Sequence, residues 1–201
     1  MASTFYGQIG ANKRNSVLLA LAVVVLLGLL GLLIGWAVTG DPRAALPSLA
    51  IAVGVGLVAS LISYYMGDSL VLASSGAREV TAADAPQLWN VVQELAVASS
   101  LPMPRVYLID DTAPNAFATG RDPAHASVAI TVGLLQKLDR EELQGVMAHE
   151  LSHVRNFDIR FSLMVGVLVG SIALLADFFL RFSIWGGVGR RERRSSSDSG
   201  G

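Results

Sequence analysis

Three residues in one short stretch have the types and spacing of a hydrolytic metal site. His149, Glu150 and His153 form the pattern H-E-x-x-H inside GVMAHELSHVRNFD, residues 145–158. On a helix, side chains four apart stand one turn above each other on the same face. Two imidazoles at that spacing can share one metal ion. The carboxylate directly after the first His leans to the same side, within reach of a water on that metal. Zinc lowers the pKa of such a water to about 7, and the carboxylate can take its proton as it attacks a carbonyl.

Zinc hydrolases use three protein ligands and leave the fourth position to water. Only two ligands are legible here. The chain has no cysteine, which excludes a thiolate site and leaves His and carboxylates as donors. His125 falls in a turn and reads as a surface residue. Asp158 lies five residues past His153, which turns it off the ligand face. Asp177 sits in an apolar run and Glu192 among arginines. Asn156 follows His153 by three residues and His149 by seven. It shares their face, and it reads equally as an outer hydrogen-bond partner of the histidines or as a helix C-cap.

Several elements must position this stretch. Asp139 with Glu142 three residues later is a capping-box-like start, and the helix it opens is expected to run to about residue 158. Three β-rich runs precede it, RVYLID (105–110), NAFATG (115–120) and SVAITV (127–132). Short turns separate them, which predicts an antiparallel meander or a mixed sheet. Residues 133–138 predict a helical turn. Further upstream, Asp84-Ala85-Pro86 reads as a helix start with Asp as the cap and Pro in the first turn. Leu88, Val91, Val92 and Leu95 then follow helical spacing, continued by Ala98. An amphipathic helix is therefore expected over 86–99, broken by the prolines of LPMP (101–104).

Composition ties these elements to a membrane. Of 201 residues, 52% are hydrophobic and 15% charged, with a mean hydropathy of +0.53, too apolar for an ordinary soluble domain. The net charge of −1, with one dense basic run at 190–194, excludes a nucleic-acid partner. After a polar lead at 1–16, residues 17–38 are uncharged and long enough to cross a hydrocarbon core of about 30 Å as a helix. This run exceeds the apolar core of a signal peptide, about 7–15 residues, so it reads as an uncleaved anchor. A turn at GDPR (40–43) leads to a second run over 46–66. Gly54, Gly56, Ser60 and Ser63 there allow close helix approach, and Tyr64 and Tyr65 fit an interfacial belt. Together residues 17–66 predict a transmembrane hairpin. Lys13 and Arg14 outweigh Arg43, which puts both hairpin ends and the following domain, 67–160, in the cytoplasm. Residues 161–184 hold a third apolar run, interrupted by Asp177 and Arg181, which are four apart and can pair. It is expected to cross the membrane. The basic run at 190–194 then lands outside, against the positive-inside trend, and a re-entrant segment would remove that conflict. Residues 185–201 read as a flexible tail. Oligomeric state is left open.

The twin apolar runs, PRVYLID (104–110), NAFATGRDPAHASVAITVGLL (115–135) and AHELSHVRNFDIR (148–160) together resemble the HtpX-type integral-membrane zinc metalloproteases, a gluzincin family with membrane quality-control and CAAX-processing members. The likeness extends from about residue 17 to 182. It implies that His149 and His153 are ligands of one Zn²⁺ and that Glu150 is the general base. It implies that the strand holding Asn115, Ala116 and Phe117 borders the cleft and pairs with substrate backbone by strand addition. It also implies a third ligand, a Glu on a later helix, expected beyond Gly201, so that the chain is read as C-terminally incomplete. The expected protein is α+β, with a transmembrane hairpin, a small zincin-like domain and a third membrane helix. Its expected activity is endopeptidase cleavage of polypeptides, membrane proteins above all, in stress-linked quality control at the bacterial inner membrane. The alternative is a non-catalytic membrane scaffold, or an inactive fragment lacking the third ligand.

Overall fold

The computed structural model describes residues 5–159 and, beyond them, residues 161, 162, 165, 166, 170, 173, 177 and 181. The chain falls into two compact units, Met1–Val165 and Gly166–Gly201.

The first unit begins with two long helices, α1 (Phe5–Thr39) and α2 (Leu46–Ser74). They lie antiparallel. Gly28 of α1 faces Val53 and Leu49 of α2, and Gly56 of α2 faces Val24 and Leu27 of α1. A Cβ on Gly31 would collide with Ala52 and with the Ser48 carbonyl, so the hairpin closes only with hydrogen at that position. Gly54, expected at this seam, faces open space. Gly28, Gly31 and Gly35 of α1, together with Gly56, set the approach instead. Away from the seam, large apolar side chains face outward along both helices, among them Leu21, Leu29, Leu33, Ile51, Val55 and Leu61. Such an uncovered apolar belt suits hydrocarbon rather than water, and both helices are long and apolar enough to cross a membrane.

Two boundaries differ from expectation. No proline interrupts residues 1–16, so the polar lead is helical from Phe5 and continuous with the first span. The second helix runs on past Met66 to Ser74, because Gly67 is buried and the residues after it carry no breaker.

The remainder of this unit is α+β. Strands β1 (Ala77–Glu79), β2 (Arg105–Ile109), β3 (Ala116–Gly120) and β4 (Ala126–Thr131) form one mixed sheet in the order β1-β2-β4-β3. The β2–β4 pair is parallel, and β1–β2 and β3–β4 are antiparallel. Helix α3 (Pro86–Ala98), the single turn α4 (Val132–Leu135) and α5 (Arg140–Asn156) complete it. Alternation sorts the sheet residues. Val106, Val128 and Ile130 join Leu88, Val91 and Val92 of α3 and Leu143, Met147, Leu151 and Val154 of α5 in the main core. Tyr107, Ile109 and Ala129 point to the other face, where Leu72 of α2 meets them. Strand β4 is therefore buried along its whole length. In α3 the stripe turns inward at Ala96 and leaves Ala98 exposed. Asp84 does not cap that helix. Its carboxylate accepts from the Thr81 amide at 2.8 Å and hydroxyl at 2.7 Å, which hold it below the ordinary carboxylate range. Ala85 occupies the cap position.

In the second unit the described positions are helical, and Arg181 Nε donates to Asp177 Oδ2 at 2.7 Å, the pairing expected from their spacing. Most of the third apolar run, and the tail at 185–201, lie outside the described residues.

Candidate metal centre

Helix α5 is built to present one polar face. Its start is the expected capping box. Asp139 accepts from the amides of Glu141 and Glu142, and Glu142 Oε2 accepts from the Asp139 amide at 3.0 Å. Its rotation is set by the buried stripe Leu143, Met147, Leu151 and Val154. At about 100° per residue, His149 and His153 lie about 160° round from Met147 and Leu151. Glu150 lies only about 60° from Met147. Hence His149 is exposed, while Glu150 is half-buried beside the core.

The two imidazoles converge. His149 Nε2 and His153 Nε2 are 3.2 Å apart, with the rings almost perpendicular at 86°. Two nitrogens bound at about 2.05 Å to one tetrahedral zinc stand about 3.3 Å apart, so the pair fits that ion. On its other side, His153 Nδ1 lies 2.8 Å from Asp158 Oδ2. An ionised carboxylate can only accept. The proton therefore sits on Nδ1, and the Nε2 lone pair is left for a metal, the usual way an outer carboxylate orients a histidine ligand.

Asp158 was expected to turn away from this face. It returns because α5 ends early. Phe157 adopts the left-handed conformation at φ 60°, which breaks the helical path and swings the next side chain back over His153. Two residues of the α1 lead hold that turn. Asn12 Nδ2 donates to the Asn156 carbonyl at 2.9 Å, and Lys13 Nζ sits 4.1 Å above the Phe157 ring. Asn156 takes neither expected role among the described residues. The cap is Phe157, and Asn156 Oδ1 is buried without a hydrogen-bond partner.

Beside α5 runs β3, the free edge of the sheet. The Asn115 carbonyl accepts from the Thr131 amide and its own amide donates to Thr131 Oγ1, so Asn115 is committed to β4. With the alternation of an antiparallel pair and the register Phe117↔Ala129, the main chain of Phe117 also faces β4. The main-chain groups of Ala116, Ala118 and Gly120 then face the open edge. Of the three expected substrate contacts, Ala116 alone offers free backbone groups. Ala118, which no sequence signal marked, turns its carbonyl to the same edge, while its amide is hydrogen-bonded to Glu150. Burial raises the Glu150 pKa against the opposing pull of the His153 and His149 imidazoles and of the hydrogen bond from the Ala118 amide. The net shift is upward, the direction that makes Glu150 a stronger base. His125 is exposed, as expected, with Nδ1 2.7 Å from Asp122 Oδ1. Among the described residues, no third ligand completes a metal cluster.

A helix that offers two converging histidines and a poised glutamate next to an edge strand is the arrangement of the zincin-like peptidases. Residues 82–187, just over half of the chain, match Peptidase family M48, and the chain belongs to that family. It is similar to the Protease HtpX homolog of Ligilactobacillus salivarius (strain UCC118), at 46% identity over 195 residues, covering 97% of this chain and 65% of the relative. The Protease HtpX homolog of Tropheryma whipplei (strain Twist) is 46% identical over 191 residues, covering 95% and 63%. That of Listeria innocua is 43% identical over 193 residues, covering 94% and 62%. The chain thus spans a little under two thirds of the length of these relatives.

Proposed function

We propose that this chain belongs to a membrane-anchored, zinc-dependent endopeptidase whose active site faces the cytoplasm. The observation behind this reading is the 3.2 Å separation of the two Nε2 atoms beside a half-buried Glu150. His149 and His153 would hold one zinc ion. When bound, zinc polarises a carbonyl and makes water a competent nucleophile at neutral pH. Glu150 accepts the proton of the attacking water and returns it to the leaving amine. Asp158 keeps His153 in the tautomer with a free Nε2. The open edge of β3 aligns a polypeptide in extended form through the backbone of Ala116 and the carbonyl of Ala118, by strand addition. Membrane proteins in quality control are the proposed substrates, on the strength of the HtpX-type likeness and the apolar hairpin that keeps the site beside a bilayer.

Replacing Glu150 by Gln keeps the shape and removes the base. Peptide cleavage by the full-length protein should fall about 10²–10⁴-fold, with zinc binding retained. Cleavage at the original rate would sink the role given to Glu150. A second reading, a non-catalytic scaffold, draws on the absence of a third ligand among the described residues. Stoichiometric zinc in the full-length protein, coupled to cleavage that stops when zinc is chelated, rules the scaffold out.

A further inference from the structure

We propose a phospholipid headgroup site in the cleft between the far end of α2 and the corner that follows β3, with Arg121 as the group that takes the lipid phosphate. The cleft has a volume of about 420 Å³ and is lined by Tyr65, Asp68 and Ser69 of α2 and by Arg105, Arg121 and His125 of the domain. Gly120, at φ 137°, makes the bend that delivers Arg121 there.

Arg121 is short of partners. Its side chain is only 25% exposed, and its carboxylate contact, Nε to Asp122 Oδ2, is long at 3.5 Å. Its guanidinium centre stands 5.5 Å from the Tyr65 ring and 6.0 Å from the Tyr64 ring. These rings hold the plane of the group but accept no conventional hydrogen bond. Among the described residues, no acceptor within hydrogen-bond distance meets its other N–H groups. Arg121 lines the open cleft, and its planar fork matches two phosphate oxygens. The neighbouring charges are already engaged. Arg105 is bound to Asp68 at 2.7 Å. Asp122 lies 2.7 Å from His125 Nδ1, and despite its burial that contact and the His125 amide hold it below the ordinary carboxylate range. Arg121, with its long Asp122 contact, is left as the cation of the cleft available to a ligand.

The level of the cleft identifies the source of phosphate. Gly31 of α1 faces Ala52 of α2. Fifteen residues back along α1 is Ser16, and fifteen forward along the antiparallel α2 is Gly67. Both are buried, as that register requires. The first charges beyond them, Arg14 and Lys13 on one helix and Asp68 on the other, therefore emerge at the same height. With the Tyr64–Tyr65 pair just inside, this is where lipid headgroups lie. The cleft is lined by Arg105, Arg121 and Asp68; Arg105 and Asp68 are paired, so a single cation is left over and recognition rests on its directional donors. That favours a ligand which the membrane presents at high local concentration over a dilute soluble anion.

This inference rests on α1 and α2 being membrane spans, not on the metal chemistry, and its readout is lipid retention rather than proteolysis. Full-length protein extracted in mild detergent is examined by native mass spectrometry and by thermal shift with a short-chain phosphatidylglycerol. Wild type should retain one phospholipid and be stabilised by the added lipid. Arg121→Gln should weaken retention about 10–100-fold, the range for a hydrogen bond to a charged group. Arg121→Lys should be intermediate. Ala124→Trp fills the cleft from an exposed position with Arg121 intact, so it tests the site even if Arg121→Gln misfolds, and it should also expel the lipid. Arg140→Gln, at an exposed pair with Glu94, should retain it. Equal retention in the folded Arg121 and Ala124 variants overturns the site. So does stabilisation by inorganic phosphate alone as strong as by the lipid, or displacement of the lipid by an acidic peptide with no change for phosphate.

Discussion

The two ends of α5 are made in different ways, and the difference separates folding from chemistry. The start closes on itself. Asp139 and Glu142 satisfy each other's amides within one turn, so four neighbouring residues specify where the helix begins and, with the buried stripe, which way it faces. The end is assembled from afar. Phe157 stands at φ 60° with its amide reaching Val154 at 3.3 Å, and side chains of Asn12 and Lys13 hold the turn from 144 residues away. Only the far end touches one of the proposed metal ligands, through Asp158 on His153. The start decides whether the helix forms, and the end decides how one histidine is held.

The sharpest way to break that contrast is Asp158→Asn. The amide can donate as well as accept, so it no longer dictates which His153 nitrogen carries the proton. Zinc affinity of the full-length protein should fall about 10–100-fold, with little change in thermal stability, as measured by competition with a chromophoric chelator. Unchanged affinity would mean that the 2.8 Å contact does not orient the ligand. Next in size is Asp139→Ala at the other end. Losing the cap should cost about 1 kcal/mol of stability, read from denaturant midpoints, while zinc affinity per folded molecule stays the same. A parallel loss of affinity would show that the two ends do not divide the work as proposed.

The same contrast explains what could be read from residue order alone. His149, Glu150, His153 and the Asp139 box are local patterns, and α5 delivers all of them. RVYLID, NAFATG and SVAITV become strands at nearly their expected limits for the same reason. What escaped is what depends on partners. Strand β1 is three residues with no alternation, and it exists because Ala77, Arg78 and Glu79 pair with Ile109, Leu108 and Tyr107. Asp84 looked like a helix cap until Thr81 took its carboxylate. Asp158 looked misplaced because a helix continued through residue 157 does put it there. A glycine at 157 would have announced the left-handed turn, whereas phenylalanine gives no such signal. Lys13, 144 residues away, covers the Phe157 ring. The edge position of β3 likewise follows from strand order, which no local pattern encodes.

The smallest expected effect tests whether the α1 lead holds this turn at all. Lys13 is solvent-exposed, and a cation–π contact at an exposed site is worth roughly a two- to fivefold change in an equilibrium. Lys13→Gln should therefore leave the global unfolding midpoint almost unmoved. The effect should be confined to amide hydrogen exchange in the last turn of α5, around Val154–Phe157, which should speed up about two- to fivefold. Lys13→Arg keeps a cation over the ring and should restore protection. Phe157→Leu should produce the same acceleration, and the double variant should add nothing further, because each change removes the same contact. Additive acceleration would place Lys13 and Phe157 in separate interactions. The far end of the metal helix would then be held by the Asn12 bond alone.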